Sequence, residues 1–371
     1  MIIPLVDLKS QHDSINKEID DAIRRVIENA QFILGTEVET FESEIAAYCQ
    51  AKYAIGVASG TDALQLALLA CDIKPGDEVI TTPFSFIATA EAITQCGATP
   101  VFADIDPRTY NIDPASIETK ITERTKAILP VHLYGQPVDI ESVMELSIRY
   151  NLKVIEDCAQ ALGAKYKGKN VSLFGDAGCL SFFPSKVLGA YGDGGMVVTT
   201  NAEIAQKVRL LRNHGCHDKY YHLVPGFNSR LDALQAAILR VKLRHLHKWI
   251  ELRRQKASLY SEILDQIDGI EPPYIAPDRQ HIFNYYTIRL QNGKSRRDKL
   301  QKYLGARGIA TAVYYPLSLH LQQVYKPLGY KSGNFPESEQ AQDEVLSLPL
   351  YPELTAEQIE TVARAIESCD T

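Results

Sequence analysis

Short apolar runs alternate with segments of helical period along the first two-thirds of the chain, and few folds accommodate that rhythm. Tyr53–Ala58 reads as a strand and Asp62–Cys71 as a helix, and Gly76-Asp77 turns into a strand at Glu78–Thr82. A helix at Ser85–Cys96, strands at Pro100–Ala103 and Thr125–Val131, a helix at Asp139–Tyr150 and a strand at Lys153–Glu156 follow. Gly175–Phe182 and Gly195–Thr200 read as two more strands, and Asn201 caps a helix running to about Asn213. Strands separated by helices of about 10–15 residues imply βαβ units and a mostly parallel sheet. After Asn228 the pattern changes. Leu231–Leu252 is one helical stretch with a break expected near His245–Trp249, and Pro272-Pro273 precedes a region with fewer strands, Tyr285–Leu290 and Ala310–Tyr315. The expected architecture is a large α/β domain over residues 1–250 and a smaller C-terminal α+β domain over 251–371, which suits a length of 371 residues.

Composition narrows the function classes. Hydrophobic residues make up 45% and charged residues 23%, enough to build a packed core. The net charge of −7, with no block of like charge, argues against nucleic acid as a partner. The longest apolar stretch, around Ala63–Ala70, is too short to span a membrane, which takes about 18 residues or more. Pro4, Asp7 and Lys9 interrupt the N-terminus before a signal-peptide core can form. Seven widely spaced cysteines without a CxxC pair suit reduced thiols, so a cytoplasmic enzyme is expected.

Three segments carry chemistry. In Ser59-Gly60-Thr61-Asp62-Ala63-Leu64 a strand gives way to a helix through small residues, which makes either an ordinary N-cap or a phosphate nest. In Val154-Ile155-Glu156-Asp157-Cys158-Ala159-Gln160 a buried strand ends in two carboxylates, at the edge where α/β sheets bind ligands. In Leu180-Ser181-Phe182-Phe183-Pro184-Ser185-Lys186, followed by Gly192-Asp193-Gly194-Gly195, a lysine sits directly after an apolar strand, where desolvation favours its neutral, nucleophilic form. Phosphate anchor, acid partner and Schiff-base lysine together are what pyridoxal 5′-phosphate requires.

These motifs, with Gly226-Phe227-Asn228-Ser229-Arg230-Leu231-Asp232, resemble the fold-type-I pyridoxal phosphate enzymes of the nucleotide-sugar aminotransferase branch, the DegT/StrS family. The resemblance runs from Pro4-Leu5-Val6-Asp7-Leu8 to Leu346-Ser347-Leu348-Pro349. It implies that Lys186 binds the cofactor covalently and carries protons, and that Asp157 pairs with the ring nitrogen. It further implies that Gln160 bonds the ring's phenolic oxygen, that Phe84 stacks on the ring, and that Gly60, Thr61 and Ser181 hold the phosphate. Asn228 would reach that phosphate from a partner subunit, making a homodimer with shared sites.

The same resemblance implies an amino group passed from glutamate to a nucleotide-linked keto sugar. Val131-His132-Leu133-Tyr134-Gly135-Gln136-Pro137 and Phe182-Phe183-Pro184-Ser185-Lys186 favour a 3-keto, UDP- or dTDP-linked acceptor over a 4-keto one. Arg230, His222, Tyr314, Tyr315 and His320 are the expected sugar-nucleotide residues. A sugar dehydratase, which in relatives has histidine at the lysine position, and a non-enzymatic sensor are the alternatives. No metal is expected. His214, Cys216, His217 and His222 fit no common zinc spacing, and Asp104 with Asp106-Pro107 reads as a turn.

Overall fold

Seven strands build the central sheet: β1 (Tyr53–Val57), β2 (Glu78–Thr81), β3 (Thr99–Phe102), β4 (Thr125–Leu129), β5 (Lys153–Asp157), β6 (Ala177–Ser181) and β7 (Gly195–Thr199). The structure, a computed structural model, describes residues 2–291 and 293–369. The strand order is β1-β7-β6-β5-β4-β2-β3, and β7 alone runs antiparallel to its neighbours. The strands are almost wholly buried, as a sheet covered on both faces requires. Helices Gly60–Ala70 and Ala202–Leu211 pack one core, and helices Leu8–Asn29, Thr36–Cys49 and the first part of Ala233–Leu264 pack another.

A separate core lies toward the C-terminus. Strands β8 (Ile270–Glu271), β9 (Tyr286–Leu290) and β10 (Val345–Leu348) form a small antiparallel sheet under helix Ala356–Glu367. The chain start joins this core: Ile3 donates to the Gly308 carbonyl at 2.8 Å and is fully buried.

Two local expectations are corrected. The Ala233–Leu264 helix continues unbroken through His245–Trp249, because it contains no proline or glycine and His245 stacks on Trp249 with ring centroids 5.7 Å apart. Its early residues serve the first core, while Ala257, Tyr260 and Leu264 serve the C-terminal one. Ala310–Tyr315 forms no strand and contributes only an Ala312–Ser347 bridge.

Side-chain alternation at the end of β5 separates its two carboxylates. Glu156 is fully buried and accepts from His132 Nε2 at 3.0 Å and from the N–H groups of Ser172, Phe174 and Gly175 at 2.9–3.0 Å. Burial alone would raise its carboxyl, but His132 and these N–H groups outweigh burial and hold it below the ordinary 4.5. His132, Glu156 and Cys158 cluster closely enough to suggest a metal site. Yet His132 Nδ1 already accepts from Val138 N, and the Glu156 oxygens are taken up by donors, so this is a structural hub. A depressed folded value stabilises the protein above pH 4.5, and that contribution is lost as pH falls below it. Glu156→Gln, which sets an amide among backbone donors, is expected to lose about 2 kcal/mol of stability, read by denaturant unfolding at neutral pH, and the deficit should shrink on acidification.

Candidate active site

Strand β5 delivers Asp157 to a cavity of about 410 Å³ at the C-terminal edge of the sheet. Asp157 is buried, and each of its oxygens has a donor: Ala159 N at 3.1 Å and Thr89 Oγ1 at 2.8 Å. Burial holds its carboxyl above the ordinary range, and the two donors and the Lys186 ammonium offset only part of that.

Lys186 reaches the same cavity from the loop after β6. The residue is half-buried and opens onto the cavity, and desolvation there pushes its ammonium down to about 8 against the pull of Asp157. Its Nζ lies 5.9 Å from the centroid of the Tyr285 ring. A substantial fraction of this amine is therefore neutral near pH 7–8, the form that attacks carbonyl carbon.

The start of the Gly60–Ala70 helix lines the cavity beside the end of β6, where unpaired N–H groups and the positive end of the helix favour an anion. Ser59 caps that helix by accepting from Asp62 N at 3.1 Å. Gly60 is required by space, since a Cβ there would come within 2.6 Å of Ser181 Cβ. Asp62, one turn in, would oppose an anion, but its carboxylate accepts from Ser229 Oγ at 2.6 Å. Thr61 and Ser181 line the cavity beside Gly60.

Gln160 also lines the cavity and is held at both ends. Its Oε1 accepts from Tyr134 N at 2.7 Å, and its Nε2 donates to Tyr315 OH at 3.0 Å. Tyr314 and Tyr315, on the segment between β9 and β10 that bridges Ser347 through Ala312, line the cavity, with Tyr285 and Tyr314 rings 4.3 Å apart.

Other expected residues lie elsewhere. Phe84 is fully buried against Tyr110 and the core beneath the cavity; the chain alternates in this loop, so Phe86 is the aromatic that lines it. His320 does not line it either. The Leu319–Leu321 turn buries it against Phe335, where it bonds Glu339 at 3.1 Å. His222 is exposed on a hairpin of Cys216–Asp218 and Tyr221–His222, bonded to the His214 carbonyl. Asn228 is exposed and bridges Asn213, whose side chain holds Arg230 at 2.9 Å. None of these three lines the cavity of its own chain. In the His214–His222 run, Cys216 bonds the Asp218 carbonyl and His217 the Asp218 carboxylate.

Thr89, Phe86 and Tyr285 are site residues that sequence reasoning missed. Thr89 leaves a faint sequence signal, as Ser85 and Thr89 form a polar i, i+4 pair, 2.8 Å apart, in an otherwise apolar helix start. Tyr285 leaves none, because only tertiary packing brings it over Lys186.

The fold is that of the α/β aminotransferases. The chain belongs to the DegT/DnrJ/EryC1/StrS aminotransferase family, whose model matches residues 13–367. It is 51% identical to a pleiotropic regulatory protein of Geobacillus stearothermophilus, over 99% of this chain and 98% of that one. It is 48% identical to the UDP-N-acetyl-3-dehydro-alpha-D-glucosamine 3-aminotransferase of Acidithiobacillus ferrooxidans, over 98% and 97% of the two chains. The crystal structure of S. venezuelae DesV in complex with a ketimine intermediate matches with a TM-score of 0.96 at 42% identity, over 99% and 98% of the chains.

The Lys186 titration is directly measurable. Acetic anhydride labelling of its amine against pH, followed by mass spectrometry, should give a midpoint near 8. The Asp157 carboxylate favours the ammonium, so Asp157→Asn should move that midpoint lower.

Proposed function

We propose that this protein is a pyridoxal 5′-phosphate-dependent aminotransferase that moves an amino group from glutamate to a nucleotide-linked keto sugar, yielding an amino sugar. The observation that carries the proposal is the convergence of Lys186, Asp157 and the Gly60–Thr61 helix start on one cavity. The donor set fits the cofactor: a cradle that a Cβ at Gly60 would fill, a buried carboxylate and an amine of depressed basicity.

Gly60, Thr61 and Ser181 would hold the phosphate, Asp157 would face the ring nitrogen, and Gln160 the phenolic oxygen. Phe86, rather than Phe84, would cover the ring. Bound there, the cofactor supplies an electron-withdrawing ring that acidifies the C–H beside the amine in transfer. The protein's own part is proton handling and exclusion of water. Lys186 Nζ, once freed as an amine, takes a proton from the donor carbon and later returns one to the sugar carbon. Its depressed basicity suits both directions near neutrality. Asp157 favours a cation at its open side, which would bring its own carboxyl down. Tyr285, Tyr314 and Tyr315 keep solvent from the reacting atoms.

The name of the Acidithiobacillus relative favours a 3-keto acceptor that is UDP-linked, with a dTDP-linked one as the alternative. Arg230 and His222 would meet the nucleotide across a subunit boundary, with Asn228 on the phosphate of the partner's site. The exposed Tyr220, Tyr221 and Leu223, and separately Phe32 and Ile33, supply apolar surface for such a homodimer. Among the described residues no helix is long and apolar enough to cross a membrane, and a biosynthetic role suits the cytoplasm.

The regulatory name of the Geobacillus relative supports a sensor as second reading. One spectrum separates the two. After incubation with pyridoxal 5′-phosphate, an absorption band near ~410 nm should move to ~330 nm on adding glutamate, and Lys186→Ala should lack the first band. A cofactor-loaded protein that is inert to glutamate and every other amino donor would be read as the sensor.

A further inference from the structure

The loop that carries Lys186 closes on itself. Lys186 N donates to the Phe183 carbonyl and Ala190 N to the Phe182 carbonyl, each at 2.8 Å. Gly189 presses on Pro184, where a Cβ would lie 2.2 Å from the Pro184 carbonyl oxygen. Two residues of the Ala233–Leu264 helix tie this closed turn to the body of the protein. Gln235 accepts from Tyr191 N at 2.9 Å. Lys242, only 1% exposed, donates from Nζ to the Gly189 carbonyl at 2.6 Å and lies 4.8 Å from the centroid of the Tyr191 ring.

Lys242 is an unusual choice for that space. Burying an ammonium costs more desolvation than burying an apolar side chain of the same length, and burial lowers Lys242 to about 8 with only a distant pull from Glu353. An apolar residue would fill the volume, but it could not grip a carbonyl. We propose that Lys242 is a positioning residue: by holding the Gly189 carbonyl it fixes the loop that carries Lys186, and with it the place of the Lys186 amine in the cavity. The proposal rests on the reading of Lys186 as the reacting amine.

Two substitutions in the full chain test it. Lys242→Met keeps the stem and removes the ammonium, while Gln235→Leu frees the Tyr191 end of the loop from a partly exposed position. One readout is the labelling midpoint of Lys186 in protein freed of pyridoxal phosphate. The other is kcat and KM for glutamate after the cofactor is restored. The groups that share the cavity with Lys186, namely Asp157, Asp193, Tyr285, Tyr314 and Tyr315, stay unchanged in both variants.

A loosened loop admits water to the amine, so the midpoint should rise by about half a pH unit or more toward that of an ordinary lysine. Misplacement of the amine should lower kcat about tenfold while KM for glutamate stays within about twofold. An unmoved midpoint in the folded Lys242→Met variant overturns the proposal, whatever happens to the rate. If Lys242→Met does not fold, the midpoint of Gln235→Leu decides in the same way. A midpoint that rises as expected in a protein whose parent never reacts with glutamate keeps the positioning role and overturns the proposed function instead.

Discussion

Asp157 stays inside the protein because Thr89 and the Ala159 N–H each donate to one of its oxygens. Without them the burial that raises its carboxyl would be opposed only by the charges of Lys186 and His132. Lys186 experiences the same poverty of water from the other side, and its ammonium is pushed down to about 8. Each group makes the other's burial tolerable, and neither is fully satisfied. The rest of the molecule serves to hold this pair. Strand β5 separates Asp157 from Glu156 by simple alternation, and Glu156 locks the other face through four donors.

The cavity is a joint product of both ends of the chain. Its floor comes from β5, β6 and the Gly60–Ala70 helix, and its cover from Tyr285, Tyr314 and Tyr315. The two parts share apolar clusters, Phe84 and Val131 with Tyr285 and Val345, and Phe102 with Tyr325 and Phe335, and polar contacts besides. Arg253, buried on the long helix, donates to the carbonyls of Phe283 and Leu350, and the Leu319 N–H donates to the Pro83 carbonyl beneath Phe86.

Much of this was legible in advance, and for local reasons. The alternation of strands and helices survives in the fold because a sheet buried on both faces needs continuous apolar runs, and the covering helices need amphipathic ones. The phosphate-like turn at Ser59–Leu64, the carboxylate ending β5 and the lysine after β6 are each strand-end features, readable one at a time. Phe84 and Phe86 were not separable, because two aromatics in one loop differ only in which side the backbone turns inward. His320 looked like a polar residue near two tyrosines, yet a short turn folds it under Phe335.

The sequence alone therefore determined the class of fold, most of the order of strands and helices over the first two-thirds of the chain, and the turn, carboxylate and lysine that are proposed to carry the chemistry. Those depend on the period of a pattern and on what ends a strand, which are properties of neighbours along the chain. Tertiary structure decided which aromatic covers the cavity, that Tyr285 stands over Lys186, that Thr89 steadies Asp157, and that a buried lysine far along the chain grips the loop of Lys186. These are contacts between segments dozens to hundreds of residues apart. No local pattern encodes them, because they follow from how packed layers meet rather than from the residues that precede or follow.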